Sequence, residues 1–536
     1  MPFRSGVDMS MMSENIVKTM QGLNIWYRLR YLFFVVRKAL KRAWSKSAPF
    51  LFVIMAAAGV GYGIATQTPI KIIGTVLSVV ACIWLANKID WGVLVILGIL
   101  TVVAATAVIP KPITIAGQGM GINEFLLTYL LLVVVVKCMA DGRMDLFRSP
   151  LAWSLILFFL AVVLSIAASY QNNLSWNFHD IYNGVRCLFG YTLFFVVAFG
   201  LRTERQIKTV LYGTVVVGVI IAVLTILQFY IGTKLNIFGS SVRVIAVSEE
   251  DETVTRVIPP GILLSVCVAC VSSYLASVSQ SLKMRLVYGV VSLVVGAGLV
   301  LTFTRSVWGS LAIAVLVMFI IADRDVRKKL VVLIVTLPVV AVLGTFLVSS
   351  LSTHTTNSQF ATALSNRFDS VVHPEKAFMS GSYQARLKEN ELALKHANGG
   401  SMFGIGPGRP LYYQNNTILL LTGRRLPSVT PGFQLHNCYV EFLVVLGYFG
   451  LSAFILVSLV FLVRSFLLFR RLTDLFYKAV VGSFLAVYVG LLWEGWVAMF
   501  FTHQDAAICL VSIMWGLVEV IARLERRDGS QELEVA

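Results

Sequence analysis

The sequence predicts an all-α, polytopic membrane protein with about 12–14 transmembrane helices and one large, partly helical extramembrane loop. Three observations carry that prediction. Of 536 residues, 57% are hydrophobic and only 13% charged, with a mean hydropathy of +0.82. Soluble domains carry roughly 25% charged residues, so this chain cannot dress a water-facing surface and a soluble enzyme is excluded. The apolar residues are gathered into runs of about 20, the length that crosses hydrocarbon. The basic residues fall on alternate connections between those runs, as they do when cytoplasmic loops collect Lys and Arg.

Residues 1–49 form a basic segment without a small-residue cleavage site after a short apolar core, so it does not read as a cleavable signal peptide. Ile25, Leu29, Phe33, Val36 and Leu40 recur at helical spacing, and Arg28, Arg37, Lys38, Lys41 and Arg42 supply the polar face. This pattern fits an amphipathic helix on the inner leaflet. A transmembrane bundle is expected over 50–350, with spans near 50–67, 72–87, 91–109, 122–138, 150–169, 183–200, 208–232, 258–279, 285–302, 305–322 and 329–350. A large outer loop follows over 351–434. Further spans lie near 435–463, 477–501 and 505–523 within a C-terminal membrane segment, 435–523, and 524–536 is a cytoplasmic tail. The stretch 285–322 reads as one long span or as two broken at Thr302-Phe-Thr-Arg305. Two are required, because only then do the loops carrying Lys137/Arg143/Arg148, Arg202/Arg205/Lys208, Lys283/Arg285, Arg324–Lys329, Arg464–Lys478 and Arg523–Arg527 share one side. Both termini are then cytoplasmic. The net charge of +17 is accordingly spent on topology, and no nucleic-acid partner is implied.

The two long outer segments, 232–257 with its Glu249–Glu252 cluster and 351–434, exceed what a connector needs. The second predicts a helix over Tyr383–Ala397, capped at Ser380 or Ser382 and stopped by Gly399-Gly400. Gly404-Ile-Gly-Pro-Gly-Arg409 after it lacks the Lys-Ser/Thr of a phosphate-binding loop and reads as a tight turn. Cys267-Val-Ala-Cys270 sits in lipid-like sequence without His or acidic neighbours, and the cysteines read as core thiols.

Polar residues at a membrane edge are costly and therefore candidates for function. Arg305 opens the tenth span, Arg386 lies on the loop helix, and His436 opens the twelfth. Guanidinium forks match phosphate oxygens, and an imidazole can take a proton from an attacking hydroxyl. On residue chemistry alone each also has a bland reading. Arg305 fits a snorkelling residue, Arg386 a partner of Glu389 or Asn390, His436-Asn437 a helix cap, and Arg186 a snorkelling side chain or a partner of Asp180.

At these positions the chain resembles a family. Thr304-Arg305-Ser306, then Arg386 with its helix and Phe403-Gly-Ile-Gly-Pro-Gly408, then Leu435-His-Asn-Cys-Tyr-Val-Glu441 continuing to Leu446-Gly-Tyr-Phe-Gly450, are similar in order and spacing to motifs of the O-antigen ligase and O-antigen polymerase superfamily of bacterial membrane glycosyltransferases. The resemblance covers roughly 255–460. It implies a GT-C-like helical fold in the bacterial inner membrane with the active site on the periplasmic side. The implied reaction moves a glycan from undecaprenyl diphosphate to an acceptor hydroxyl, with no metal, nucleotide or other cofactor. The acceptor would be a lipid A-core sugar for a ligase, or another lipid-linked repeat unit of O-antigen or exopolysaccharide for a polymerase. Carried over by motif, Arg305 and Arg386 would hold the diphosphate and His436 would be the base. Arg186, Asn437 and Glu441 are possible supporting residues, and Glu441 or Glu494 could position His436. Fourteen apparent spans and the basic extension exceed the family's usual pattern. The competing class is a transporter or flippase of lipid-linked oligosaccharide. It would be expected to show internal repeats and midplane charges, neither of which the sequence displays.

Overall fold

The computed structural model describes residues 81–103, 113–115, 118–141, 149–172, 178–232, 238, 242–246, 253–332, single positions between 362 and 373, 381–396, 401–408 and 435–535. The amphipathic segment 1–49, the span at 50–67 and most of those at 72–87 and 329–350 lie outside them. The chain is an all-α polytopic membrane protein. Seven helices are long and apolar enough to cross a membrane, and four shorter apolar helices accompany them among the described residues.

The helices run in chain order as α1 (Ile89–Gly98, prolonged by a π turn to Val103), α2 (Ile122–Asp141), α3 (Pro150–Asn172), α4 (Phe178–Val185), α5 (Leu193–Gly200) and α6 (Glu204–Ile231). Then come α7 (Ile262–Val278), α8 (Leu282–Val300), α9 (Arg305–Ile321), α10 (Gly381–His396), α11 (Cys438–Arg471), α12 (Leu475–Val497) and α13 (Asp505–Val535). Two small antiparallel hairpins, 113–115 with 118–120 and 242–246 with 253–257, sit on connections. Two compact units are distinguished, residues 1–87 with 132–148 and residues 88–131 with 149–536. In the first, the Lys137 ammonium donates to the Ala86 carbonyl. All that follows concerns the second.

The stretch 285–322 is two helices, α8 and α9, joined by a turn at Leu301–Thr304. Phe303 takes a positive φ of 47° there, uncommon for an aromatic residue. Its ring is fully buried against Phe229, and the Thr302 hydroxyl and Trp308 indole both donate to the Leu299 carbonyl. Arg256, from the second hairpin, donates to the Thr302 carbonyl and the Thr304 hydroxyl at 3.2 Å each. The sequence reading of 183–200 as one span is corrected. Helix α4 stops at Val185, a 3-10 turn covers Leu188–Thr192, and α5 resumes at Leu193, so Arg186 sits at a break.

Helix α9 runs antiparallel to α12 in close contact. A Cβ at Gly490 would collide with the Ser310 carbonyl oxygen at 2.4 Å, and one at Gly309 would sit tightly against the Trp493 indole nitrogen at 3.2 Å. Basic residues gather at one end of this pair and its neighbours. Lys478 pairs with Asp323 at 2.9 Å, Lys208 lies 5.7 Å from the Phe476 ring centroid, and Arg464 donates to Glu519 at 2.8 Å. The N-termini of α9, α11 and α13 and the C-terminus of α12 occupy the other end.

Helix α11 is broken at Gly447, whose φ of 73° and ψ of −172° only glycine adopts readily. The break orphans backbone groups inside the bundle, and the 401–406 turn satisfies them. Ile405 and Gly406 amides donate to the Val444 and Val445 carbonyls at 2.9 and 3.0 Å, and Tyr448 and Phe449 amides donate to Ser401 and Met402 at 3.1 Å each. Ser165 of α3 adds a bond to Val445 at 2.9 Å. Positive φ at Gly404, Gly406 and Gly408 shapes the turn, and Gly408 lies against the Asp180 carbonyl of α4. A side chain at 447 would place its Cβ 2.4 Å from Gly404 N and from the Ser401 carbonyl oxygen. Gly447→Ala should therefore cost about 2–4 kcal/mol and lower the thermal unfolding midpoint in detergent by several degrees. Gly289→Ala in α8, where nothing lies within 4 Å, should leave the midpoint unchanged or raise it.

Candidate active site

The end of the bundle away from the Lys478–Asp323 pair holds the three residues singled out by the motifs. Arg305 is the first residue of α9. Arg386 and Glu389 lie three apart on α10 and so share a face of that helix. Arg386 Nη1 donates to the Val497 carbonyl at the end of α12 at 2.8 Å, a guanidinium set where a helix C-terminus favours a cation. Burial pushes the Arg386 pKa down, and the Arg305 charge adds to that, against the opposing pull of Glu389 and Glu494. Two guanidiniums are thus within electrostatic reach of each other in a partly desolvated place. That is the disposition in which an anion of two charges is bound most strongly.

His436 lies immediately before α11 with its Nδ1 3.0 Å from Glu389 Oε2. The histidine side chain is 42% exposed and the glutamate 19%, so the pair opens to the outside of the bundle. Asn437 is the N-cap of α11. Its Oδ1 accepts from the Tyr439 and Val440 amides at 3.0 and 3.1 Å, which fixes the backbone that presents His436. The neighbouring Tyr439 hydroxyl donates to the Leu492 carbonyl at 2.6 Å, and Cys438 Sγ donates to the Ala498 carbonyl at 2.9 Å. The start of α11 is therefore tied to the end of α12, the element that also accepts from Arg386.

The partner of His436 is Glu389, and neither Glu441 nor Glu494 takes that place. Glu441 is buried one turn into α11, where its carboxylate pairs with His503 Nε2 and accepts from the Thr502 hydroxyl at 2.6 Å. Arg186 pairs with the buried Glu124 of α2 rather than with Asp180. Tyr182 donates to the same carboxylate at 2.8 Å and the Gly121 amide at 2.7 Å. A small cavity beside this cluster is lined by Asn123, Glu124, Arg186, Phe189, Asp505 and Cys509. Arg186 and Glu441 thus belong to a second buried polar group, with Asp505 in electrostatic reach of both Arg186 and His503.

Sequence reasoning offered Glu389 only as a partner of Arg386, and missed its pairing with His436 and the residues His503 and Glu124. The i, i+3 spacing of Arg386 and Glu389 on a predicted helix was a usable signal for the first. The other two meet their partners only through long-range packing. Among the described residues no cluster of His, Cys, Asp or Glu has the makings of a metal site.

Residues 290–455, which contain Arg305, Arg386, Glu389, His436, Asn437 and Glu441, match the family described as O-antigen ligase. No match to the chain was found among curated proteins.

The buried His503–Glu441 pair gives a pH prediction. Burial pushes the His503 imidazole down, but the hydrogen bond and charge of Glu441, with the charge of Asp505, outweigh it and raise its pKa. The stabilisation is complete below the ordinary histidine value of about 6.5 and is lost as pH rises through the higher folded-state value. The unfolding midpoint of the detergent-solubilised protein should fall as pH is raised from about 6 to about 9. His503→Gln should flatten that dependence.

Proposed function

We propose that this chain, which belongs to the O-antigen ligase superfamily by its residues 290–455, transfers a glycan from undecaprenyl diphosphate to an acceptor hydroxyl at the periplasmic face of the bacterial inner membrane. The observation that carries this reading is the double role of α10. One face of that helix brings Arg386 within electrostatic reach of Arg305 and, three residues later, sets Glu389 on His436.

In the proposed reaction the two guanidiniums hold the diphosphate of the donor. The acceptor oxygen attacks the anomeric carbon, and the bond from that carbon to the diphosphate oxygen breaks. With Nδ1–H donating to Glu389, the lone pair of His436 Nε2 is left to take the acceptor proton. The imidazolium so formed is stabilised by the Glu389 carboxylate, and the charge developing on the leaving diphosphate is met by Arg305 and Arg386. No step needs a metal ion, because permanent cations stand where a metal would neutralise the leaving group. A polyprenyl tail suits a groove between apolar helices, and the diphosphate then lies at the membrane edge where the arginines are. The acceptor is a lipid A-core sugar in a ligase, or a further lipid-linked repeat unit in a polymerase.

His436→Ala should lower glycan transfer at least about 100-fold while expression and binding of the lipid-linked donor persist, measured with labelled donor in membranes. Retained transfer would overturn the mechanism. Arg305→Lys, which keeps the charge but loses the fork, should cost about 10-fold or more; unchanged activity would make Arg305 a snorkelling residue. Deletion of the gene separates the acceptors. Single unpolymerised repeats on the surface glycan identify a polymerase, and accumulated long lipid-linked chains identify a ligase.

A further inference from the structure

One buried carboxylate at this end of the bundle has no role in the mechanism above. Glu494, in the last turn of α12, is fully inaccessible, and neither of its oxygens makes a hydrogen bond of good geometry. A buried carboxyl group keeps its charge only where cations or donors stand close to it, so its surroundings matter. The antiparallel register that sets Gly490 on Ser310 and Trp493 on Gly309 carries Glu494 to Ser306, the second residue of α9. The Ser306 hydroxyl and the Arg386 guanidinium are both within its electrostatic reach.

The start of α9 favours negative charge. The first amides of α9 have no intrahelical acceptors, and no side-chain cap serves them. The hydroxyl of Thr304, the residue placed to cap, is turned away, donating to the Thr302 carbonyl at 3.0 Å and accepting from Arg256. A helix N-terminus with spare amides attracts negative charge. Here Arg386 and Arg305 add to it, and a buried carboxylate of the protein itself lies within electrostatic reach of Ser306 and Arg386.

We propose that Glu494 is a resident anion of the donor site: its carboxylate offsets the charge of Arg386 beside the N-terminus of α9 between turnovers, and the diphosphate binds in competition with its charge. The inference rests on the proposed donor reading and adds a reason for the residue. A glycan-linked diphosphate is a diester with two charges, whereas the polyprenyl diphosphate that leaves is a monoester that ionises once more. Two arginines alone would therefore hold product more tightly than donor. A fixed carboxylate beside them penalises the more highly charged species most and favours its release. Glu494 is thus a positioning residue that acts through Arg386 and sets turnover through product affinity.

The test is binding of undecaprenyl diphosphate to the full-length protein in detergent, alongside transfer kinetics. Glu494→Gln and the second neutral variant Glu494→Leu should bind the product about 10-fold more tightly than wild type. Both should be inhibited by it at correspondingly lower concentration, with kcat reduced and KM for donor not raised. Both should stay folded with an unfolding temperature close to that of wild type, because Gln and Leu have nearly the volume of the side chain they replace. Glu494→Asp, which keeps the charge, should stay within about 3-fold of wild type. Product affinity that is unchanged or weaker in a neutral variant of wild-type thermal stability overturns the proposal while leaving the donor reading intact. Wild-type protein whose affinity for the product is indifferent to Arg386→Ala overturns the donor reading and this proposal with it.

Discussion

The site depends on a backbone constraint at Gly447. A helix broken inside an apolar bundle exposes carbonyls and amides that lipid cannot satisfy, and each must find a partner in the protein. Val444, Val445, Tyr448 and Phe449 find theirs in the Ser401–Gly406 turn. Only glycine at both 404 and 447 lets the two backbones come that close. The four bonds make the Ser401–Gly406 turn part of the bundle, and α10, which ends five residues before it at His396, is held near α11 as a result. The contact of Arg386 with Val497 and that of Glu389 with His436 follow from this docking. In this family resemblance the glycine motifs and the charged motifs are separate strings of letters. In the fold they are one device: the glycines place the charges.

Charge is divided between the two ends of the bundle, and it does different work at each. At one end Lys208, Lys478 and Arg464 are paired or stacked on rings. At the other, cations and carboxylates are brought into partly or fully dry surroundings where a single charge changes what its neighbour can hold. Asn437, capping α11, and Tyr439 and Cys438, tied to α12, are the neutral residues that keep this end fixed. The second polar group, Glu124–Arg186 and His503–Glu441, braces the break after α4 and the turn between α12 and α13.

Much of this was legible in residue patterns. Apolar runs located the described spans, and the one-sided basic loops required the break at Thr302–Arg305 that α8 and α9 display. The loop helix predicted over 383–397 is α10 at Gly381–His396. What was not legible is long-range. No local pattern joins Glu389 to a histidine 47 positions away, or Glu441 to His503. The interruption at Arg186 was hidden for a related reason. Hydropathy over 183–200 is continuous, whereas the helix stops because Arg186 turns to Glu124 and Gly184 is pressed against the glycine turn at Gly408. The kink at Gly447 was likewise invisible in an unbroken apolar run, since a glycine in such a run signals tolerance of a break without showing that a partner strand of backbone will fill it.

The proposed reaction breaks a sugar–diphosphate bond with cations of the protein and a histidine. The most direct measurement is the product balance of the purified, full-length protein in detergent, given a polyprenyl-diphosphate-linked glycan, an acceptor and excess EDTA. Glycosylated acceptor and free polyprenyl diphosphate should form in equal amounts, at a rate that EDTA does not change. Intact donor recovered in full from a protein that binds it, or a reaction abolished by EDTA and restored by a divalent metal, would contradict the proposed mechanism.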